Sequence, residues 1–204
     1  MPSETDVCNV ALRLVGAKTV TSLSDGSDNA GVLDDIYTET RDDLLSSHPW
    51  NFATKRVQLA RISTAPAFEF DYAYALPSDW VRTVSVHDND AGHGTVLYRA
   101  EQVAGQSAIV SSSDSVYLRY VSRVTDPNLM SSDFRRALSL SLARDLSIPL
   151  AASNTMYEQF TRESARALAR ARSSDGMGSF PELRPRGSWA SSRGGFKRDD
   201  FLSD

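Results

Sequence analysis

The sequence predicts an α+β fold: a four-helix bundle-like body with an inserted antiparallel β subdomain and an extended C-terminal tail. Three observations predict it. Apolar residues recur every three or four positions over 3–16, 29–47 and 132–172, the spacing of a helix face. Between Thr54 and Val124 the period changes to two, interrupted by clusters of Gly, Ser and Asp. Beyond Ser173 neither period holds. The expected organisation is therefore 1–53 as the first half of the helical body, 54–130 as the inserted β subdomain, 131–173 as the second half and 174–204 as the tail. With 204 residues, 41% apolar and 24% charged, the chain has globular composition and material for a core.

The first helix begins at Ser3, because Ser3-Glu4-Thr5-Asp6 has the form of a capping box with Asp6 in the usual Glu or Gln position. Val7, Val10, Ala11, Leu14 and Val15 make its apolar face, and Gly16 is a natural stop. Thr19 to Asn29 reads as a loop. A second helix follows from about Asn29 to Ser47, capped by Ser27 or Asp28, with Val32, Leu33, Ile36, Tyr37, Thr40, Leu44 and Leu45 inward. Pro49 ends it, since a residue before proline is pushed out of the helical region. Strands are expected around Val57–Arg61, Tyr72–Pro77, Trp80–Val86, Val96–Arg99, Ala108–Val110 and Val116–Val121. Ser132 or Asp133 caps a third helix that ends near Pro149. Ser153 or Asn154 caps a fourth, Thr155 to Arg172, with Met156, Phe160, Ser164, Ala167, Leu168 and Ala171 inward and Arg162, Arg166, Arg170 and Arg172 largely outward.

Charge is distributed unevenly. The total is -4, which argues against a generally basic nucleic-acid binder. Residues 1–50 nevertheless hold nine acids and three bases, whereas 162–204 hold nine bases and six acids. The single cysteine, Cys8, rules out an intramolecular disulfide and reads as a small buried hydrophobe. No apolar run is long enough for a membrane helix, and the acidic start lacks the pattern of a signal peptide, so a cytosolic chain is expected.

Reactive groups do not converge in the sequence. His48 sits at a helix end as a cap or packing residue, and His87 and His93 flank the Asp88-Asn89-Asp90 turn without a metal-binding spacing. No phosphate loop, nucleophile elbow or zinc-protease motif is present, so no catalytic, metal or cofactor site is expected. Asp34-Asp35 and Asp42-Asp43 are adjacent pairs about 100° apart around a helix, an acidic face rather than an acid/base dyad. His48-Pro49-Trp50-Asn51-Phe52 differs in kind: a helix stops on proline and two aromatics follow at i and i+2. In extended backbone Trp50 and Phe52 share one side, so Pro49, Trp50 and Phe52 read as a hinge between helices and β subdomain. Beyond residue 174, spaced apolar residues alternate with arginines in a Gly- and Ser-rich segment, the composition of a tail that orders against a partner.

Three runs carry a resemblance. They are Ala11-Leu12-Arg13-Leu14-Val15-Gly16-Ala17 with Val20-Thr21-Ser22-Leu23-Ser24-Asp25; Tyr37-Thr38-Glu39-Thr40-Arg41-Asp42-Asp43-Leu44-Leu45 leading into His48-Pro49-Trp50-Asn51-Phe52-Ala53; and Tyr72-Ala73-Tyr74-Ala75-Leu76-Pro77-Ser78-Asp79-Trp80 before an alternating strand. In these the sequence resembles the head-to-tail adaptor proteins of tailed bacteriophages, the group called tail tubular protein A. The motif match covers residues 5 to about 86, and the second half agrees in layout. The resemblance implies a non-enzymatic virion protein, made in the host cytoplasm and placed at the head–tail junction. Such adaptors form a twelve-subunit ring on the portal protein, extend the DNA channel and carry the next tail component. It implies that the tail reaches the portal, with Trp189, Phe196, Phe201 and Leu202 as apolar anchors and Arg193, Lys197 and Arg198 pairing acidic groups. Asp34, Asp35, Asp42 and Asp43 become candidates for a channel lining past which genomic DNA slides without specific binding. The alternatives are a DNA-packaging accessory protein that binds DNA through the Arg-rich fourth helix, and a cell-wall hydrolase, for which no matched carboxylate pair is present.

Overall fold

A computed structural model describes residues 1–92 and 96–178. It shows a mixed α+β chain with four helices and two small antiparallel three-stranded sheets. The helices are α1 (Glu4–Leu14), α2 (Asp28–Ser46), α3 (Ser132–Leu146) and α4 (Asn154–Met177), and all six strands lie between α2 and α3.

Local chemistry fixes the helix ends. Ser3 and Asp6 form the reciprocal capping box on α1. At its other end Ala17 N–H donates to Leu12 O (2.9 Å) and Gly16 N–H to Arg13 O (3.2 Å). This Schellman closure requires φ of +75° at Gly16, a conformation that glycine adopts without steric cost. Ser27, Ser131 and Ser153 cap α2, α3 and α4 through their hydroxyls, so α3 begins one residue earlier than the pattern implied. α4 continues to Met177, which makes Ser174–Met177 helical although their composition reads as tail.

α3 is the hub. It packs against α1, α2 and α4, while contacts among those three are slight, so a four-helix bundle is not what the helices show. Residues Ala137 to Ala143 are buried on every face of α3. Two of them are serines, small enough for close helix approach, and Ser139 donates to Val7 O of α1 at 3.1 Å.

The first sheet has the order β1 (Thr54–Gln58), β6 (Tyr117–Ser122), β3 (Trp80–His87); the second has the order β2 (Tyr72–Ala75), β5 (Gln106–Ser111), β4 (Arg99–Val103). Alternation along β6 divides the layers. Val121 joins the helical core, whereas Leu118 and Tyr120 face Tyr74 and Ile109 of the second sheet. Phe70, with Ile62 against it, covers the outer side of Ala73, Ala108 and Val110. The layers thus run helices, first sheet, second sheet, loop. The sequence pattern predicts a strand at Val96–Arg99; the strand begins only at Arg99. Its first four residues are exposed and offer no alternation to detect. Its two-residue turn into β5 places Ala104 at φ 52° and Gly105 at φ 79°, the twist a tight hairpin needs.

Asp79, in the β2–β3 turn, ties two strands of the first sheet together by accepting from Lys55 Nζ of β1 (2.7 Å) and Tyr120 Oη of β6 (2.9 Å). Burial raises its pKa, but these two donors outweigh burial and hold the carboxyl below its ordinary value. Burial and the Asp79 carboxylate push the Tyr120 hydroxyl up to about 12. A depressed Asp pKa stabilises the fold above the unfolded value of about 3.9, and this contribution is lost as pH falls through the folded value. Asp79→Asn is therefore expected to flatten the acid limb of stability. Urea midpoints measured between pH 5 and pH 2 should fall less steeply than in wild type, and equal slopes would contradict the assignment.

Candidate functional site

The helical body, the β subdomain and the start of the tail meet at residues 48–53. Pro49 stops α2 and is itself exposed. Trp50 is completely buried, and its indole Nε1–H donates to Leu44 O at 2.9 Å, so the ring enters the core without an unsatisfied donor. Its ring meets Phe134 of α3 edge-on at 5.0 Å, and Phe52 meets the same Phe134 at 5.0 Å. The two aromatics do converge, but not through extended backbone. Asn51–Ala53 is a single 3₁₀ turn, and that turn brings Trp50 and Phe52 to 5.9 Å. β1 starts at the next residue.

α4 is locked onto this turn. Asn51 N–H donates to both carboxylate oxygens of Asp175 (3.1 and 3.2 Å), and Asn51 Nδ2 donates to Asp175 O at 2.7 Å. His48 Nε2 lies 3.3 Å from Asp175 Oδ2, and its ring stacks edge-on against Trp50 at 4.8 Å. A carboxylate in the last turn of a helix opposes the helix dipole, and here the donors on the hinge compensate it. Arg172, expected to point outward, instead turns inward: its Nη2 donates to Ser47 O at 3.3 Å. The point from which residues 179–204 leave is therefore fastened to the hinge. The anchors Trp189, Arg193, Phe196, Lys197, Arg198, Phe201 and Leu202 lie outside the described residues, as does His93.

The four candidate channel-lining aspartates of α2 separate into two groups. Asp34, Asp35 and Asp43 are exposed. Asp42 is half-buried between Arg41 (Nη2 to Oδ1, 2.9 Å) and Arg123 (Nε to Oδ2, 2.7 Å). Arg41 was not anticipated. It is 4% exposed, sits over the Tyr37 ring at 5.7 Å and reaches Glu4 of α1 at 3.8 Å. A buried guanidinium with two carboxylates and a ring is tolerated because its charge is paired.

Elsewhere the chemistry is that of packing. Cys8 is fully buried, and burial, aided by the Glu4 charge, pushes its thiol up to about 12, far from a reactive thiolate. Asp25 accepts from the backbone and hydroxyls of Thr21 and Ser27, and these bonds, Ser27 foremost, hold its carboxyl well below the usual range. Among the described residues no group of three or more His, Cys, Asp or Glu side chains is placed to hold a metal ion, and no helix is long and apolar enough to cross a membrane.

Asp175→Ala would remove the carboxylate to which the Asn51 amide donates, a loss of about 0.5–1.5 kcal/mol for hydrogen bonds at an exposed position. Hydrogen exchange should speed up at Asn51 and over 172–177 while α3 stays protected. Unchanged exchange at Asn51 would contradict the clamp. Comparison of the chain with protein-family models and with curated proteins gave no match.

Proposed function

We propose that the chain is a structural adaptor of a bacteriophage neck: it docks as a ring on the portal protein, extends the DNA channel and supports the next tail component. The observation that carries this reading is the run from Arg41 to Ala53. It is the most distinctive part of the resemblance, and its unusual residues all have packed roles where body, insertion and tail exit meet. Arg41 and Asp42 pair across α1, α2 and the end of β6; Leu44 O accepts the Trp50 indole; His48 and Asn51 hold α4. An adaptor needs such a junction, because load on a portal-bound tail must pass into the subunit body rather than unravel α4.

The overall layout supports the same reading. A helical body with an antiparallel β insertion agrees with what the resemblance implies, and the exposed Asp34, Asp35 and Asp43 suit a channel wall that repels DNA phosphates. The exposed Arg162, Arg166 and Arg170 favour a second reading, a DNA-packaging accessory protein that grips phosphate through α4. Filter binding across a salt series distinguishes the two: the adaptor reading predicts no salt-dependent affinity for duplex DNA.

The clamp determines where the tail is cut in a direct test. Truncation at Ser174 would remove Asp175 and loosen the body, so the truncation belongs after Gly178. A chain ending at 178 is expected to keep its thermal transition and lose attachment to the portal ring of the same phage in a pull-down. Retained attachment would overturn the assignment of portal binding to the tail.

A further inference from the structure

The first sheet extends beyond the helical body that covers its near end. Alternation along β6 puts Leu118 and Tyr120 on the second sheet, so Tyr117, Arg119 and Val121 share the opposite face. Val121 lies in the helical core. Arg119 and Tyr117, further along the strand, are instead half-buried against a hollow of about 450 Å³. Its described lining comes from β1, the end of β3, β6 and the turn at 89–92, with no helix residue.

Strand register fills this face with donors. Arg56 of β1 and Ser85 of β3 flank Arg119, and Gln58 and His87 flank Tyr117. Cross-strand partners share a face with their Cβ atoms about 5 Å apart, and like charges placed directly opposite one another cost stability. Arg56 and Arg119 are such a pair. Arg56 is exposed and makes no ion pair among the described residues, whereas Arg119 Nε is withdrawn from solvent. His87 Nε2 and Ser85 Oγ stand 3.0 Å apart, which holds the imidazole on this face. Asp90, exposed on the turn, is the one carboxylate of the described lining. The neighbouring Asp88 carboxylate accepts from Asn89 Nδ2 at 2.7 Å.

We infer that this hollow binds a phosphate monoester of about nucleotide size. Forked guanidiniums pair bidentately with phosphate oxygens, and an anion between Arg56 and Arg119 relieves their mutual repulsion. The imidazole, the Tyr117 hydroxyl and the Gln58 amide add further donors on the same face. The volume falls within the range of small-molecule sites, roughly 300–1,000 Å³, and exceeds what a bare phosphate fills. The Tyr117 ring offers an apolar wall for the remainder of the ligand. Asp90 repels further negative charge at the rim, which favours a single phosphate group over a polyanionic backbone. These residues belong to neither the hinge, the α2 acids, α4 nor the tail, so the site does not rest on the adaptor reading.

Isothermal titration of the full chain at low salt tests this with adenosine monophosphate, adenosine and inorganic phosphate as probes. The monophosphate should saturate, and adenosine and inorganic phosphate should each bind about tenfold or more weakly. Arg56→Ala, at an exposed position, should weaken the monophosphate about tenfold or more, the effect of losing one charge-assisted pair. Arg119→Lys keeps the charge but loses the fork and should weaken it as well. Circular dichroism checks that both variants fold, and Arg56→Ala decides alone should Arg119→Lys unfold. Asp90→Asn should tighten binding, and Arg166→Ala, on α4 and outside the hollow, should leave it unchanged. Failure of millimolar monophosphate to saturate overturns the inference, as does undiminished binding by Arg56→Ala. Equal affinity for adenosine would mean that the phosphate is not recognised, and equal affinity for inorganic phosphate would mean an adventitious ion only; either overturns it. Equal weakening by Arg166→Ala would mean diffuse charge attraction and overturns it too.

Discussion

Pro49 prevents α2 from continuing, and Trp50 must then enter the core with its indole N–H satisfied. The Leu44 carbonyl in the last turn of α2, which also accepts from the Ser47 hydroxyl at 2.7 Å, meets that need, and Phe134 of α3 provides the ring contact. This small arrangement orients the rest. The 3₁₀ turn that follows sets where β1 begins, β1 pairs with β6, and the first sheet lies on the helices through Ala53, Val121 and Val124. Ser122 Oγ donates to Ala53 O at 2.9 Å and pins the same corner from the strand side. The second sheet packs on the first and touches the helical core little. It is an outlying layer.

Electrostatics follows from the same corner. Glu4, Arg41, Asp42 and Arg123 link α1, α2 and the chain leaving β6, so an acidic helix keeps its one guanidinium inside and shows only carboxylates outside. α4 shows cations outside, with the acid Glu158 beside them. Arg172 is taken up by the Ser47 carbonyl, and the other three arginines face solvent in a row. The charge asymmetry of the sequence thus becomes two flanks of one body, with the tail leaving from a third place beside the hinge.

Much of the fold was legible because its signals are local. The capping box of α1, the serine caps, the stop at Gly16 and the break at Pro49 depend on residues a few positions apart, and β6 alternates because its two faces meet different layers. What escaped depends on partners far away in sequence. Arg41 on a polar helix reads as surface until Glu4 and Asp42 are seen to enclose it. Asp175 lies in Ser-Ser-Asp-Gly, the composition of a loop, and only the Asn51 amide 124 residues earlier makes it the end of a helix. β4 lacks alternation because it lies exposed at a sheet edge. That Trp50 and Phe52 come together was recognisable from proline and paired aromatics, although the backbone reaches that geometry by a turn rather than by extension.

The central claim is that this body is a subunit assembled on a portal ring through its tail. Native mass of the portal ring of the same phage, alone and after mixing with the full chain, tests it most directly. The account predicts a saturating gain of about twelve chain masses, one per portal subunit, in keeping with closed cyclic symmetry. A portal mass unchanged by excess chain would contradict it and leave the shared layout as a likeness of fold alone.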